Sequence, residues 1–280
     1  MEGKNRNERK LSGQVLFIGA VLIAGTLFAA CGGGGGSGSS GVIDPGLTIQ
    51  DQSLDLTRQI RINSAGVLSD AWLVIFEDNS GVPAVTTVAV KGLARASYSN
   101  LKVGLDRPAL DGELFHVALH DDLGAVGMWE PGIDTPMLDD MNNPVADSLI
   151  VSVSVGTPGV RLTVSNVGSS HYRWIAVEPD NVTGVVTIGT NDPALILSLD
   201  ERYEIVNRAT GSHPFELRSV STTLLSEQTT GTLEADSGIS WTDNGSGVVR
   251  FTATSTLDAL LTAYRCFNHP LAMIGTAGIQ

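Results

Sequence analysis

The stretch YRCFNHPLAMIG, residues 264–275, holds a cysteine, a histidine and a methionine within eight positions, close to the end of the 280-residue chain. The apolar run LLTAYRCF leads into it, which is typical of a β-strand. Thiolate, imidazole and thioether are the donors of soft transition-metal sites. Pro270 directly follows His269 and stiffens the turn by fixing φ. The stretch therefore predicts a loop between two strands that turns Cys266, His269 and Met273 toward one metal ion.

The chain contains only one other cysteine, and its context is a targeting segment. A basic region with Lys4, Arg6, Arg9 and Lys10 precedes the apolar residues 15–27, as in signal peptides. The sequence LFAAC, ending at Cys31, resembles the lipobox of bacterial prolipoproteins. That resemblance implies lipidation of Cys31 and cleavage after residue 30. An ordinary secretory signal or an uncleaved anchor is the alternative.

The residues after Cys31 fit a lipid anchor. Residues 32–41 read GGGGGSGSSG, which predicts a flexible tether that spans roughly 17 Å. Loss of residues 1–30 would change the net charge from −13 to −15, giving an acidic protein outside the cytoplasm and held on a membrane. Because Cys31 would carry lipid, Cys266 would be a lone thiol in an oxidising compartment, and a disulfide framework is excluded.

Composition limits the remaining function classes. An apolar fraction of 42% and a charged fraction of 17% indicate a packed globular protein. The negative charge argues against nucleic acid as a partner, because a phosphate backbone requires a basic face. No sequence feature resembles a nucleotide-binding loop, and no G-x-S-x-G turn marks a hydrolase.

Residues 46–155 read as about seven short strands separated by turn signals, which predicts an antiparallel β-sandwich. This part resembles an uncharacterised family of secreted prokaryotic β-sandwich domains. The resemblance is carried by LTIQDQSL, AWLVIFEDNSGVPA and LFHVALHDDLGAVGMWEPGIDTPM. It implies an immunoglobulin-like fold and no known activity.

One segment of this half indicates a second, weaker metal hypothesis. His116 and His120 lie four residues apart on one predicted strand and therefore on the same face. The Gly-containing loop after them supplies carboxylates of a kind suited to Ca²⁺, namely Asp121, Asp122, Glu130 and Asp134. A solvated loop beside exposed histidines is the alternative.

The sequence VGTPGV (155–160) interrupts the strand pattern, and residues 156–280 then form a second β-rich half. His213, in GSHPFELRS, begins a strand after a loop, which places it at one pole of a sandwich, facing the C-terminal loop. His171 stands beside Tyr172 and Trp174 and is expected to be a surface residue rather than a ligand.

Residues 158–280 resemble the cupredoxin fold of small blue-copper domains. The resemblance rests on PALILSLDERYEIVN, HPFELRS, DNGSGVVRFTAT and LTAYRCFNHPLAMIG. It implies a Greek-key sandwich with one type 1 copper ion and with His213, Cys266, His269 and Met273 as ligands. Pro214 departs from the family, in which asparagine often follows the first histidine, and the spacing of Met273 is one of several that the fold uses.

Counting residues disfavours other copper chemistries. Multicopper oxidases need H-x-H pairs and a binuclear purple-copper site needs two cysteines in one loop, and the chain has neither.

The sequence thus predicts an all-β protein with two antiparallel sandwiches, immunoglobulin-like then cupredoxin-like, behind a lipoprotein signal (1–30) and a tether (31–45). The expected function is one-electron transfer with an unidentified redox partner, not catalysis. The alternative is an adhesion or non-redox copper-binding lipoprotein with a degenerate cupredoxin domain.

Overall fold

The computed structural model describes residues 43–280. The predicted signal segment and the lipidation site at Cys31 lie outside these residues. Within the described part, strands account for nearly all regular structure and assemble into four sheets around two apolar cores. The prediction of an all-β fold with two β-sandwiches is confirmed.

The first sandwich consists of eight strands that form two sheets. The strands are β1 (Gly46–Thr48), β2 (Gln52–Ser53), β3 (Gln59–Val67), β4 (Ala71–Asp78), β5 (Pro83–Leu93), β6 (Ala96–Gly104), β7 (Leu114–Asp121) and β8 (Ala146–Ser152). Their orders are β1-β3-β6 and β2-β8-β7-β4-β5. On β3, Ile60 and Ile62 are buried while Arg61 and Asn63 are exposed, the period-2 alternation of a strand with one face on a core.

The second sandwich consists of ten strands. They are β9 (Val160–Val167), β10 (His171–Glu178), β11 (Leu195–Leu197), β12 (Arg202–Asn207), β13 (Phe215–Arg218), β14 (Thr223–Ser226), β15 (Thr242–Asp243), β16 (Val248–Thr252), β17 (Ala263–Cys266) and β18 (Ile274–Ile279). The sheets have the orders β10-β9-β12-β16-β15 and β11-β18-β17-β13-β14. Most pairs are antiparallel, but β9 with β12 and β11 with β18 are parallel. Six large aromatic side chains are fully buried in this core: Tyr172, Trp174, Tyr203, Phe215, Phe251 and Tyr264.

The helix α1 (Ser255–Asp258) precedes β17. The side chain of Thr254 caps it by accepting a hydrogen bond from the backbone N–H of Leu257, and Leu257 is buried in the second core. Among residues 43–280, no helix has the length and apolar character needed to cross a membrane.

Polar contacts join the two sandwiches. The backbone N–H of Thr57 donates to the carbonyl of Pro158 at 2.9 Å. Three ion pairs also cross: Arg58–Glu201, Lys91–Asp180 and Lys102–Glu178. In each pair the first sandwich supplies the cation and the second the anion, so the two surfaces have complementary charge.

Candidate metal centre

Strand pairing brings the cysteine and the two histidines together. β13 pairs antiparallel with β17, and in this register Phe215 lies opposite Cys266. His213 stands two residues before Phe215, and the loop with His269 begins directly after Cys266. The backbone N–H of Phe267 continues the pairing by donating to the carbonyl of Pro214 at 2.9 Å. The end of one strand pair therefore carries all three side chains.

Three donor atoms converge at this end of the sandwich. The Nδ1 atoms of His213 and His269 are 3.1 Å apart. The Sγ atom of Cys266 lies 3.7 Å from Nδ1 of His213 and 3.5 Å from Nδ1 of His269. In residues 43–280 this is the one group of three or more His, Cys, Asp or Glu side chains whose ligand atoms come this close.

The dimensions of this triangle fit a metal ion. The point in its plane equidistant from the three atoms lies about 2.0 Å from each. Zn²⁺ in proteins binds imidazole nitrogen at about 2.0 Å and thiolate sulfur at about 2.3 Å, which gives the scale for a site of this kind. A thiolate with two imidazoles in a trigonal arrangement is the donor set of blue-copper sites. The residues present therefore fit the metal that the sequence predicts.

Burial prepares the donors for a metal. Cys266 is fully buried, His213 is 7% exposed and His269 is partly exposed. Burial, together with the neighbouring ring of His269, lowers the pKa of His213. This shift favours the neutral imidazole of His213, which is the form that binds metals.

The loop after Cys266 is closed by its own backbone. The N–H of Cys266 donates to the carbonyl of Met273 at 2.9 Å, and the N–H of Met273 donates to the carbonyl of His269 at 3.0 Å. The side chain of Asn268 donates to the carbonyl of Ser212 at 2.9 Å and so ties the loop to the segment before His213. The Met273 side chain is fully buried in the second core. Its role as an axial ligand remains a prediction.

A buried hydrogen-bond network holds the backbone carbonyl of His213 in place. The carbonyl oxygen of His213 accepts from the Tyr172 hydroxyl at 2.6 Å and from the Asn207 side-chain amide at 2.8 Å. The same Asn207 amide lies 2.8 Å from a carboxylate oxygen of Glu227, which also accepts from the N–H of Phe215 at 2.6 Å. Burial raises the pKa of both Glu227 and Tyr172. These contacts fix the position of His213 independently of any metal.

No sequence pattern predicted a role for Tyr172, Asn207 or Glu227 at this site, because the three residues lie on different elements and share no spacing with the ligands. Asn207 ends β12, six residues before His213. It supplies an amide near the first histidine although Pro214 occupies the position next to that histidine.

Aromatic side chains of the second core pack against one another next to the site. Trp174 packs edge-on against Tyr264 with ring centroids 5.6 Å apart, and its indole N–H donates to the Tyr264 hydroxyl at 3.2 Å. The ring of Phe215 stacks on the ring of Tyr264, with the ring centroids 5.9 Å apart. Such a packed frame limits movement of the strands that carry Cys266 and His213.

The first sandwich does not gather its predicted calcium ligands into a cluster. His116 lies 2.8 Å from a carboxylate oxygen of Asp78, and His120 lies 3.2 Å from the carbonyl of Asp134. The Asp134 carboxylate accepts from the backbone N–H groups of Leu123 and Glu130. Carboxylates used in this way organise their own loop.

The remaining acidic residues proposed for calcium behave similarly. Asp122 accepts from the N–H of Gly127 at 2.8 Å, and Glu130 accepts from the N–H of Ala125 at 2.5 Å. Asp121 is the last residue of β7. In the second sandwich Nδ1 of His171 lies 2.5 Å from a carboxylate oxygen of Asp192, and His171 is not part of the three-atom cluster.

Comparison with known proteins adds little to this picture. No family model and no curated protein matches the chain. Among solved structures, the chain is similar to the ectodomain of the teleost fish polymeric Ig receptor at 10% identity, with 84% of this chain and 98% of that chain covered and a TM-score of 0.24.

Two other solved structures are similar to the chain at the same low level. Lac15 from a marine microbial metagenome is 14% identical, with 85% of this chain and 59% of that chain covered and a TM-score of 0.23. The multicopper oxidase Fet3p, which functions in iron import, is 10% identical, with coverage of 84% and 58% and a TM-score of 0.23. At these identities and TM-scores no property of those proteins transfers to this chain.

Proposed function

We propose that the second sandwich binds one copper ion through Cys266, His213 and His269, and that the protein carries single electrons rather than catalysing a reaction. The observation that carries this proposal is the convergence of one thiol and two imidazole nitrogens on a point about 2.0 Å from each. Met273, at the end of the same loop, is the proposed weak axial ligand.

Copper is favoured over other metals by the chemistry of the donors. Zinc also binds cysteine and histidine, but structural zinc sites have four strong ligands in a tetrahedron. Here the described residues supply three such donors, with a thioether as the candidate fourth. Two imidazoles, one thiolate and a weak axial methionine are typical of copper sites that transfer electrons.

The protein's own residues would serve this chemistry in separate ways. Bound copper supplies a one-electron couple between Cu(I) and Cu(II). Cys266 is fully buried, so water is kept from the thiolate. The backbone of His213 is held by Tyr172 and Asn207, and a fixed position limits the rearrangement that accompanies a change of charge. His269 is the partly exposed ligand, and Leu271, 95% exposed, follows it closely, so a redox partner would dock here.

We also propose that the protein is lipid-anchored outside the cytoplasm through Cys31. The support is the order of basic region, apolar region, LFAAC and Gly/Ser-rich segment in the sequence. Mass spectrometry of the mature N-terminus tests it directly. Cys31→Ser should release the protein from the membrane fraction, and retention of that variant would contradict the anchor.

The copper proposal is tested by reconstitution of the full chain with Cu²⁺. An intense blue absorption is expected, because a thiolate bound to Cu²⁺ in such a site gives a charge-transfer band. Cys266→Ser should abolish the colour, whereas Ser226→Ala, at a buried serine outside the cluster, should keep it. A colourless wild-type protein that still folds would overturn the proposal.

Electron transfer needs a second measurement. A reversible one-electron couple in voltammetry is expected for the blue protein. A blue protein without a reversible couple would instead support the non-redox copper-binding alternative. A protein that binds no copper would leave adhesion or another interaction as the remaining reading.

A further inference from the structure

We propose that one end of the first sandwich rests on a lipid surface, with the exposed apolar side chains of residues 122–141 in contact with a zwitterionic bilayer. We call this segment the apolar loop. The proposal rests on the lipid anchor at Cys31 proposed above and extends it, since it assigns a face of the folded protein to the membrane.

The apolar loop exposes an unusual number of large hydrophobic side chains. Six of them are between 43% and 84% exposed, and they are Leu123, Val126, Met128, Ile133, Leu138 and Met141. Single exposed apolar residues are normal on a protein surface, but six of them within 19 consecutive residues make this loop a candidate interaction site.

Hydrogen bonds within the loop hold four of its carboxylates against its own backbone. Asp139 accepts from the backbone N–H groups of Met141 at 2.9 Å and Asn143 at 2.8 Å. The carboxylates of Asp122, Glu130 and Asp134 bind backbone N–H groups of the same loop, as described above. These four carboxylates bind the backbone of their own loop, whereas Asp140 stays exposed between Leu138 and Met141 in the sequence.

The chain enters the first sandwich at the end where the apolar loop lies. The loop follows β7, whose last residue, Asp121, is the cross-strand partner of Ala71 at the start of β4. The turn 68–70, which precedes Ala71, therefore lies at the same end. It follows β3, and near the end of β3 Gly66 pairs with Gly46, the first residue of β1. The start of the apolar loop and the point of entry therefore share one pole, while Pro136 and Met137 turn back along β7 beside His120 and Leu119.

Few residues lie between Cys31 and the part of the chain that the structure describes. Eleven residues separate Cys31 from Ile43, the first described residue. At no more than about 3.5 Å per residue, this segment reaches at most about 40 Å. A lipid on Cys31 would thus keep the pole that carries the apolar loop within that distance of the bilayer.

Charge decides which lipid surface fits. Residues 121–141 contain six aspartates or glutamates and no lysine or arginine. Anionic lipids attract basic segments and repel acidic ones. A zwitterionic surface such as phosphatidylcholine lets the apolar side chains make contact without this repulsion.

The test places a reporter in the loop of the full-length, lipidated chain. Val126→Cys, 84% exposed, is labelled with an environment-sensitive fluorophore, and Val220→Cys, 89% exposed in the turn after β13, is the matched control. Cys266 is fully buried, and the unsubstituted chain measures its background labelling. Both proteins are placed in phosphatidylcholine vesicles with or without brominated acyl chains.

We expect brominated lipid to quench the label at 126 at least threefold more than the label at 220. Replacement of half of the phosphatidylcholine by phosphatidylglycerol should reduce that difference. Equal quenching at the two positions would overturn the proposal, as would stronger quenching at 126 on the anionic vesicles. If a protein partner rather than lipid covers the loop, we expect equal quenching at the two positions.

A second tether separates this inference from the anchor itself. In a chain that begins at residue 32, an N-terminal hexahistidine on nickel-chelating lipid replaces the lipid on Cys31. If native lipidation fails, the full-length chain does not stay with vesicles, yet the hexahistidine form still reports contact at position 126. Equal quenching at 126 and 220 in the hexahistidine form overturns the loop proposal alone.

Discussion

Phe215 and Cys266 face each other across the antiparallel pair β13–β17. Both side chains are fully buried in the second core, so a shift of register by one residue would move them to the opposite face. This pairing sets the separation of His213 and Cys266, which are 53 positions apart in sequence and 3.7 Å apart at their donor atoms. The strand pairing that forms the core of the second sandwich therefore positions the ligands of the candidate metal centre.

Met273→Leu tests the axial ligand. Leucine is similar in volume but has no sulfur, so the copper should stay blue while its reduction potential rises, since the axial donor tunes the potential. The free energy of unfolding should change by less than about 1.5 kcal/mol, as is usual for such exchanges. Voltammetry and urea unfolding measure the two effects.

Met137→Leu is the matched control for this exchange, because Met137 is a buried methionine of the first core. It should leave the potential unchanged. If Met273→Leu also leaves the potential unchanged, Met273 is not an axial ligand.

Much of the fold and part of the centre follow from sequence patterns. Alternating apolar residues such as Ile60 and Ile62 on β3 predict strands, and the close spacing of Cys266 and His269 predicts that they meet in one loop. The place of His213 before a strand predicts that it lies at a pole. The structure brings these three residues together.

Other features depend on how deeply a side chain is buried and on how the strands pair. The spacing of residues along the sequence indicates neither. Tyr172 and Asn207 reach the carbonyl of His213 from β10 and from the end of β12. The acidic residues after β7 resemble calcium ligands in composition, but Asp134 and its neighbours bind backbone N–H groups instead. Composition cannot distinguish these two uses of a carboxylate.

Gly275→Ala should destabilise the second sandwich. A Cβ atom at this position would lie 2.4 Å from Cζ of Tyr264, its cross-strand neighbour. Tyr264 packs against Trp174 and Phe215 and cannot move aside without cost. We expect a loss of about 1–3 kcal/mol in the free energy of unfolding, typical of overpacking.

Gly278→Ala, three residues further along β18, is the control for this change. A Cβ atom there meets nothing within 4 Å, so its effect should stay within about 0.5 kcal/mol. Urea unfolding followed by fluorescence compares the two variants. Equal stability of the two would contradict the packing described around Tyr264.

Acid should destabilise the first sandwich through His120. Burial lowers the pKa of His120 in the folded state, although the nearby carbonyl of Asp134 partly offsets this. The unfolded chain, with a histidine pKa of about 6.5, then takes up a proton first as the pH falls. The contribution of His120 to stability is therefore complete above about pH 6.5 and decreases below it.

The variant His120→Gln tests whether His120 makes the protein less stable in acid. The free energy of unfolding is measured in urea at pH 7.5 and at pH 5.0 for the wild type and the variant. The loss between the two pH values should be smaller in the variant, because the other titrating groups are common to both proteins. An equal loss in both would show that His120 does not contribute.

The ion pair Arg58–Glu201 should couple the two sandwiches measurably. Nε of Arg58 lies 2.7 Å from Oε2 of Glu201, and the two side chains are only 24% and 9% exposed. Lys91–Asp180 has the same 2.7 Å separation, but Asp180 is 64% exposed. Because solvent screens an exposed pair, the buried pair should have the larger interaction energy although the distances are equal.

Double-mutant cycles with Arg58→Gln and Glu201→Gln, and with Lys91→Gln and Asp180→Asn, measure the two coupling energies from urea unfolding. We expect about 1 kcal/mol for the first pair and less than about 0.5 kcal/mol for the second. In 1 M salt the Debye length falls to about 3 Å, so the second coupling should vanish before the first. Equal couplings for the two pairs would show that burial at Glu201 does not strengthen the contact between the sandwiches.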